Sequence, residues 1–93
     1  MAPVRIPVEI RWTREKGRLY RLSSAIDPEA IQLERAVPMP AGEPARLCFV
    51  LPDDSSPILA GAELAGREAR FTALEGADRT RIVAYVRERL GLS

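Results

Sequence analysis

Histidine is absent from this chain of 93 residues, and cysteine occurs once. Without histidine, the Ser-His and Cys-His pairs that activate a nucleophile cannot be assembled, and neither can a histidine-ligated metal site. A lone thiol cannot build a thiolate metal cluster or an intrachain disulfide framework. The six glycines are scattered, so no Gly-rich phosphate loop is present. No apolar run approaches the roughly 18–20 residues of a membrane span, so membrane insertion is not expected. Aromatic residues make up 5% of the chain and the net charge is only +1. Both disfavour binding of nucleic acid. The expectation is a protein that is not an enzyme, with no cofactor and no metal.

What is present is ordinary for a folded domain: 46% hydrophobic and 29% charged residues. Residues 1–93 are read as one small domain that buries roughly 60–65% of its unfolded surface. Arg5 and Glu9 interrupt the first ten residues, which do not resemble a signal peptide. A cytoplasmic location is the default expectation. Charge is unevenly distributed along the chain. Residues 1–24 carry six basic and two acidic side chains (+4), residues 25–78 four and ten (−6), and residues 79–93 four and one (+3). Thirteen of the fourteen basic residues are arginine, whose planar fork suits carboxylates and phosphates.

Periodicity gives the elements. Val4, Ile6, Val8, Ile10 and Trp12 alternate with polar residues, which predicts a half-buried strand over 4–12 with Trp12 in the core. Pro7 lacks an amide donor and suits an edge or an irregular start. After a charged turn at 13–17, a second strand over 18–24 would complete a hairpin, and a third is expected over 31–35. Three prolines and Gly42 make 37–44 a connecting loop. Leu47, Phe49 and Leu51 mark a buried strand over 45–51, with Cys48 expected as a buried, inert thiol. Asp53 and Asp54 read as turn residues between two prolines rather than a metal pair. Strands over 58–64 and 68–74 follow. A helix over 79–90 closes the chain, with Asp78 as its cap and Ile82, Val83, Val86 and Leu90 on one face. Arg87 and Arg89 suit its last turn, and Gly91 stops it. Strands at this spacing suggest a barrel or a sandwich.

Several segments, in order, resemble a known family. Arg5-Ile6-Pro7-Val8 looks like a lead into a first strand, and Ala30-Ile31-Gln32-Leu33 like the strand after a ligand turn. Gly42 precedes Leu47, Phe49, Leu51 and Pro52, and Phe71 and Leu74 stand before the terminal helix. Together these resemble the PilZ domains, bacterial receptors for cyclic di-GMP. The resemblance implies a mainly β fold, a small six-stranded antiparallel β-barrel with one C-terminal α-helix.

The family's ligand signatures are only partly present. Of an Arg-x-x-x-Arg pair, the second falls on Arg5 and the first on Met1. The Asp/Asn-x-Ser-x-x-Gly motif falls on Ala25, Asp27 and Ala30. Ala25 has no hydrogen-bonding side chain, Asp27 sets a negative charge near a dianionic ligand, and Ala30 adds a methyl where close approach is needed. The resemblance therefore implies the fold but argues against cyclic di-GMP as a ligand. The leading expectation is a degenerate PilZ-like adaptor that binds an unidentified protein partner in bacterial signalling, motility or type IV pili. A weak or partner-dependent cyclic di-GMP receptor, using Arg5 with Arg18 or Arg21, is the alternative. Arg14, Lys16, Arg18 and Arg21 form a basic cluster that reads first as a solvated hairpin tip and second as an anion site. An unrelated nucleic-acid-binding barrel is a third reading, against which the low charge already stands.

Overall fold

Alternation of apolar and polar side chains is carried through almost every strand, and the resulting sheet closes on itself. The computed structural model describes residues 1–12, 14, 17–52 and 56–92. Its elements are β1 (Ala2–Pro3), β2 (Pro7–Trp12), β3 (Gly17–Ile26), β4 (Ala30–Leu33), β5 (Glu43–Phe49), β6 (Ile58–Ala65), β7 (Glu68–Leu74) and α1 (Gly76–Arg89). The antiparallel order β3-β2-β5-β6-β7-β4 is sealed by pairing of β4 back onto β3. This is a closed six-stranded barrel with β1 as an extra strand on β3 and a single C-terminal helix. Closure leaves no free edge among the six strands, which removes a template for edge-to-edge association. Among the described residues, no helix is long and apolar enough to cross a membrane.

The core follows the alternation. Val8, Ile10, Leu47, Phe49, Ile58 and Leu64 are at most 2% exposed and point inward. The Phe49 and Phe71 rings stack with centroids 6.2 Å apart. A side chain such as Phe49 contributes about 1.5–3 kcal/mol by its burial.

Two one-residue slips bend the barrel wall at the same place. From Pro3 to Pro7 is four steps, but their partners Ala25 and Leu22 are three steps apart, so the N-terminal strand holds one extra residue. On the other side of β3, Ser23 pairs with Leu33 and Ala25 with Gln32, so Ser24 is the extra residue there. A slip of one residue exchanges the faces of a strand. Leu19 and Ser23 face inward before the bulge, and Ile26 faces inward after it.

The irregular backbone is satisfied by Ser23, the one buried polar side chain among the described residues. Its hydroxyl donates to the Val4 carbonyl (2.6 Å) and accepts from the Ile6 amide (3.0 Å). The Ser23 amide donates to the Ile6 carbonyl (2.9 Å), and the Val4 amide to the Ser24 carbonyl (3.2 Å). Pro7, expected at an irregular start, is the first residue of β2 and follows this crossing.

The helix lies across one end of the barrel. Ile82 and Tyr85 are buried in the core cluster, and Val86 packs partly against it. Arg79 donates to the Pro28 carbonyl and Arg81 to the Ser56 carbonyl, tying α1 to two strand connections. Its far end closes with bonds from the Gly91 amide to Glu88 and from the Leu92 amide to Arg87, satisfying the last carbonyls.

Several sequence expectations are corrected. The helix begins at Gly76, three residues before the expected start at 79, with Glu75 at the cap position and no side-chain cap bond. Asp78 lies inside the first turn and accepts from Arg81 (2.9 Å), so it is an ion-pair partner rather than the cap. Leu90 is 45% exposed, and its expected place in the buried face is taken by Tyr85. The third strand is Ala30–Leu33 rather than 31–35, because Glu34 and Arg35 lie past the pairing with β7. The second strand runs beyond 24 to Ile26, carried through the bulge. The fourth spans Glu43–Phe49 rather than 45–51, since Glu43 and Pro44 already pair with Leu64 and Glu63. The first expected strand, 4–12, is divided into β1 and β2 by the crossing. Trp12 is half-buried and outside the core cluster. Its indole lies against Gly17, where a Cβ would come within 1.7 Å of the ring. Asp53, Asp54 and Lys16 lie outside the described residues.

Two outcomes follow from this packing. Ser23→Ala leaves the Val4 carbonyl and Ile6 amide buried without partners and should lower unfolding free energy by about 2–4 kcal/mol. Urea unfolding measures it; a loss below about 0.5 kcal/mol would contradict the crossing. Gly17→Ala should displace the indole and red-shift the emission of the sole tryptophan. Emission identical to that of the parent would contradict the stacked position of Trp12.

Candidate functional site

The turn at the positions matching the ligand motif is closed on itself. Asp27 joins β3 to β4, and its Oδ1 accepts from the Glu29 amide (2.7 Å) and the Ala30 amide (2.9 Å). The Asp27 amide donates to the Ala30 carbonyl (2.9 Å). An Asp side chain bonded to amides two and three residues on is the standard local closure for such a turn. Ala30 is 5% exposed, and Ala25 is half-buried in β3. The turn is also held from outside. The Phe71 amide donates to the Glu29 carbonyl (2.8 Å), and Arg79 to that of Pro28 (2.9 Å).

The arginines that the sequence singled out do not meet in one place. Arg5 points outward and its Nε lies 2.6 Å from Glu34 Oε1. The hydrogen bond and charge of Glu34 raise the already high Arg5 pKa. Arg18 lies on the outer face of β3, 3.7 Å from Glu9. Arg21 is opposite Val8, a fully buried residue, so it occupies the inward face of the same strand. Its Nη1 donates to the Tyr20 carbonyl (3.2 Å), while Nε is buried with no partner among the described residues. Residues 18 and 21 are an odd number of steps apart, so a regular strand places them on opposite faces. The expected basic cluster is therefore split. Arg14 lies 3.9 Å from Glu43.

A different basic constellation is assembled by strand order. Arg11 is directly opposite Arg18 on β3 and Arg46 on β5, so three arginines form a row across the outer face. Like charges directly opposite one another destabilise a sheet. Glu9 offsets part of this, 2.8 Å from Arg11 and 3.7 Å from Arg18. Arg46 has no hydrogen-bond or ion-pair partner among the described residues. Beyond Arg46 the row reaches Gly61 and then Ala73. A Cβ on Gly61 would sit 3.1 Å from the Ala73 Cβ, so glycine here keeps the floor low.

The next row on the same face is Tyr20, Glu9, Cys48 and Leu59. Leu59 is 67% and Tyr20 59% exposed. Cys48 is half-buried and faces outward, correcting the expectation of a buried thiol, because Leu47 and Phe49 take the inward positions. Arg11, Arg46, Gly61 and Ala73 of the first row and Glu9, Cys48 and Leu59 of the second line an open groove of about 970 Å³ over β2, β5, β6 and β7, with Glu75 and Arg79 also in its lining.

Sequence reasoning missed this groove. Alternation alone marks Arg11 and Arg46 as outward. Their adjacency depends on β2 pairing with β5, a connection across the hairpin and the proline loop that periodicity cannot show. Among the described residues, no group of three or more acidic or cysteine side chains is placed to hold a metal ion. Comparisons with protein-family models, curated proteins and solved structures return no match.

The electrostatics of Glu9 give a pH expectation. The Tyr20 hydroxyl donates to Glu9 Oε2 (2.9 Å) and holds its carboxyl below the usual carboxylate range, with Arg11 and Arg18 adding to the effect. The same bond raises the Tyr20 phenol. A folded carboxyl with a lowered pKa contributes stability above its unfolded pKa and loses it as pH falls through the folded value. The phenol's contribution is complete below its unfolded pKa and is lost as pH rises through the raised value. Tyr20→Phe should move the Glu9 titration upward, read from its side-chain carboxyl carbon by NMR. An unmoved titration would show that the hydroxyl is not its partner.

Proposed function

We propose that this chain is a PilZ-like regulatory domain that works without catalysis, by docking to another protein in bacterial signalling linked to motility, type IV pili or a related process. Support for the family comes from the resemblance in the sequence together with a closed six-stranded barrel and a C-terminal helix, the architecture that resemblance implies. The observation that carries the ligand-free reading is the Asp27 carboxylate, which already serves two backbone amides of its own turn. A cyclic dinucleotide would meet that negative charge in place of a neutral hydroxyl, and the Ala30 methyl in place of a glycine. Arg5, the remaining arginine of the family's pair, is engaged by Glu34. The reading as a weak or partner-dependent cyclic di-GMP receptor has less support, because Arg18 and Arg21 lie on opposite faces of β3.

A gain-of-function experiment tests this. The parent should give no saturable heat with cyclic di-GMP in a calorimetric titration. Met1→Arg, Ala25→Asp, Asp27→Ser and Ala30→Gly, combined with Glu34→Gln to release Arg5, should create saturable binding that Arg5→Ala then removes. Tight binding by the parent would overturn the ligand-free reading. A folded but silent restored variant would overturn the register on which the resemblance rests.

A further inference from the structure

The groove over β2, β5, β6 and β7 sets positive charge beside exposed apolar surface. It holds Arg11 and Arg46, directly opposite one another on adjacent strands, with Glu9 as their internal counter-charge; Arg18 continues the row onto β3, outside the groove's lining. Beside that row it exposes apolar surface, chiefly Leu59, with Ala73 across from Gly61 in the floor. We propose that this groove is the docking site for an acidic peptide segment of a partner protein, with carboxylates on the arginine row and an aliphatic side chain against Leu59. This deepens the adaptor reading and rests on it.

Charge complementarity selects the occupant. Arg46 is exposed and unpaired among the described residues, and it faces a glycine rather than a side chain, so its fork is open to a bidentate carboxylate. Adjacent strands are about 4.8 Å apart and outward residues of one strand about 6.8 Å. An extended or helical segment can therefore reach both the arginine row and the Leu59 row with side chains on a single face.

Three features disfavour a polyphosphate or nucleic acid. Glu9 and Glu75 both line the groove, so a dense polyanion meets repulsion as well as attraction. The floor is built from paired strands, whose amides are engaged in ladders and offer no nest of free N–H groups. Apolar floor beside the charges asks for an occupant that carries hydrocarbon as well as anions.

The single cysteine supplies the readout, because Cys48 lies in the groove between Glu9 and Leu59. A random peptide library is selected on the full chain, and enriched peptides are tested for binding and for protection of Cys48 from iodoacetamide. The expected peptides contain several carboxylates and an aliphatic residue. Their binding should weaken with added salt. It should also weaken about tenfold or more in Arg46→Ser. Arg87→Ser, on the exposed far end of α1, should leave it unchanged, and both variants should unfold at the parent's urea midpoint. The same peptides should slow alkylation of Cys48.

Peptides that bind regardless of Arg46→Ser and leave Cys48 reactive would overturn the groove assignment while leaving the adaptor reading standing. Tripolyphosphate that protects Cys48 where no peptide does would make the groove a phosphate site and overturn the peptide assignment. Selection of no peptide, with tripolyphosphate also leaving Cys48 reactive, would overturn the groove assignment.

Discussion

The Ser23 hydroxyl holds together the one place where this barrel cannot follow a regular ladder. It sits between the Val4 carbonyl and the Ile6 amide and serves both, in a region where water has no access. A buried amide and carbonyl left without partners each cost about 1–3 kcal/mol. The bulge in the N-terminal strand is therefore tolerable only because a hydroxyl of the right length faces it. With that crossing secured, β3 can pair with β1, β2 and β4 along its length and close the barrel. The same slip delivers Ile26 to the core, the Asp27 turn to the barrel end beneath α1, and Arg5 to the outer surface beside Glu34.

Much of the fold was legible because strand periodicity is a local property. The alternation around Val8 and Ile10, the buried strand carrying Leu47 and Phe49, and β7 at Glu68–Leu74 were all readable from side-chain type alone. The failures share a physical cause. The sequence reading ends the second strand at Ser24, whereas the structure carries it through a bulge at Ser24 and on to Ile26. Asp78 reads as a cap from its residue type, but the helix starts earlier, at Gly76, and Asp78 instead pairs with Arg81 one turn on within the same helix. Alternation places Trp12 in the core, yet at the end of the strand the neighbouring Gly17 offers the indole a surface instead.

The candidate site shows the same division. Asp27 and its neighbours are legible from the motif, and the structure shows the Asp27 carboxylate bonded to two amides of its own turn. The arginine row could not be found that way, because Arg11, Arg18 and Arg46 come from three separate strands and meet only through the barrel's order. Uneven charge along the chain gave a hint without a location. Two of the three arginines come from the basic N-terminal segment, residues 1–24, and Arg46 comes from the acidic middle. In the fold, the outer face becomes locally basic even though the net charge of the chain is +1.

The most direct test of the central constraint is native-state hydrogen exchange at the Ile6 amide. If the Ser23 hydroxyl holds that amide inside a closed barrel, its exchange should require near-global unfolding, with protection matching that of Ile10 and Leu47. Exchange as fast as that of a fraying terminus would mean that the N-terminal crossing is not a structural element of the folded protein, and the account of how β3 closes the barrel would fail.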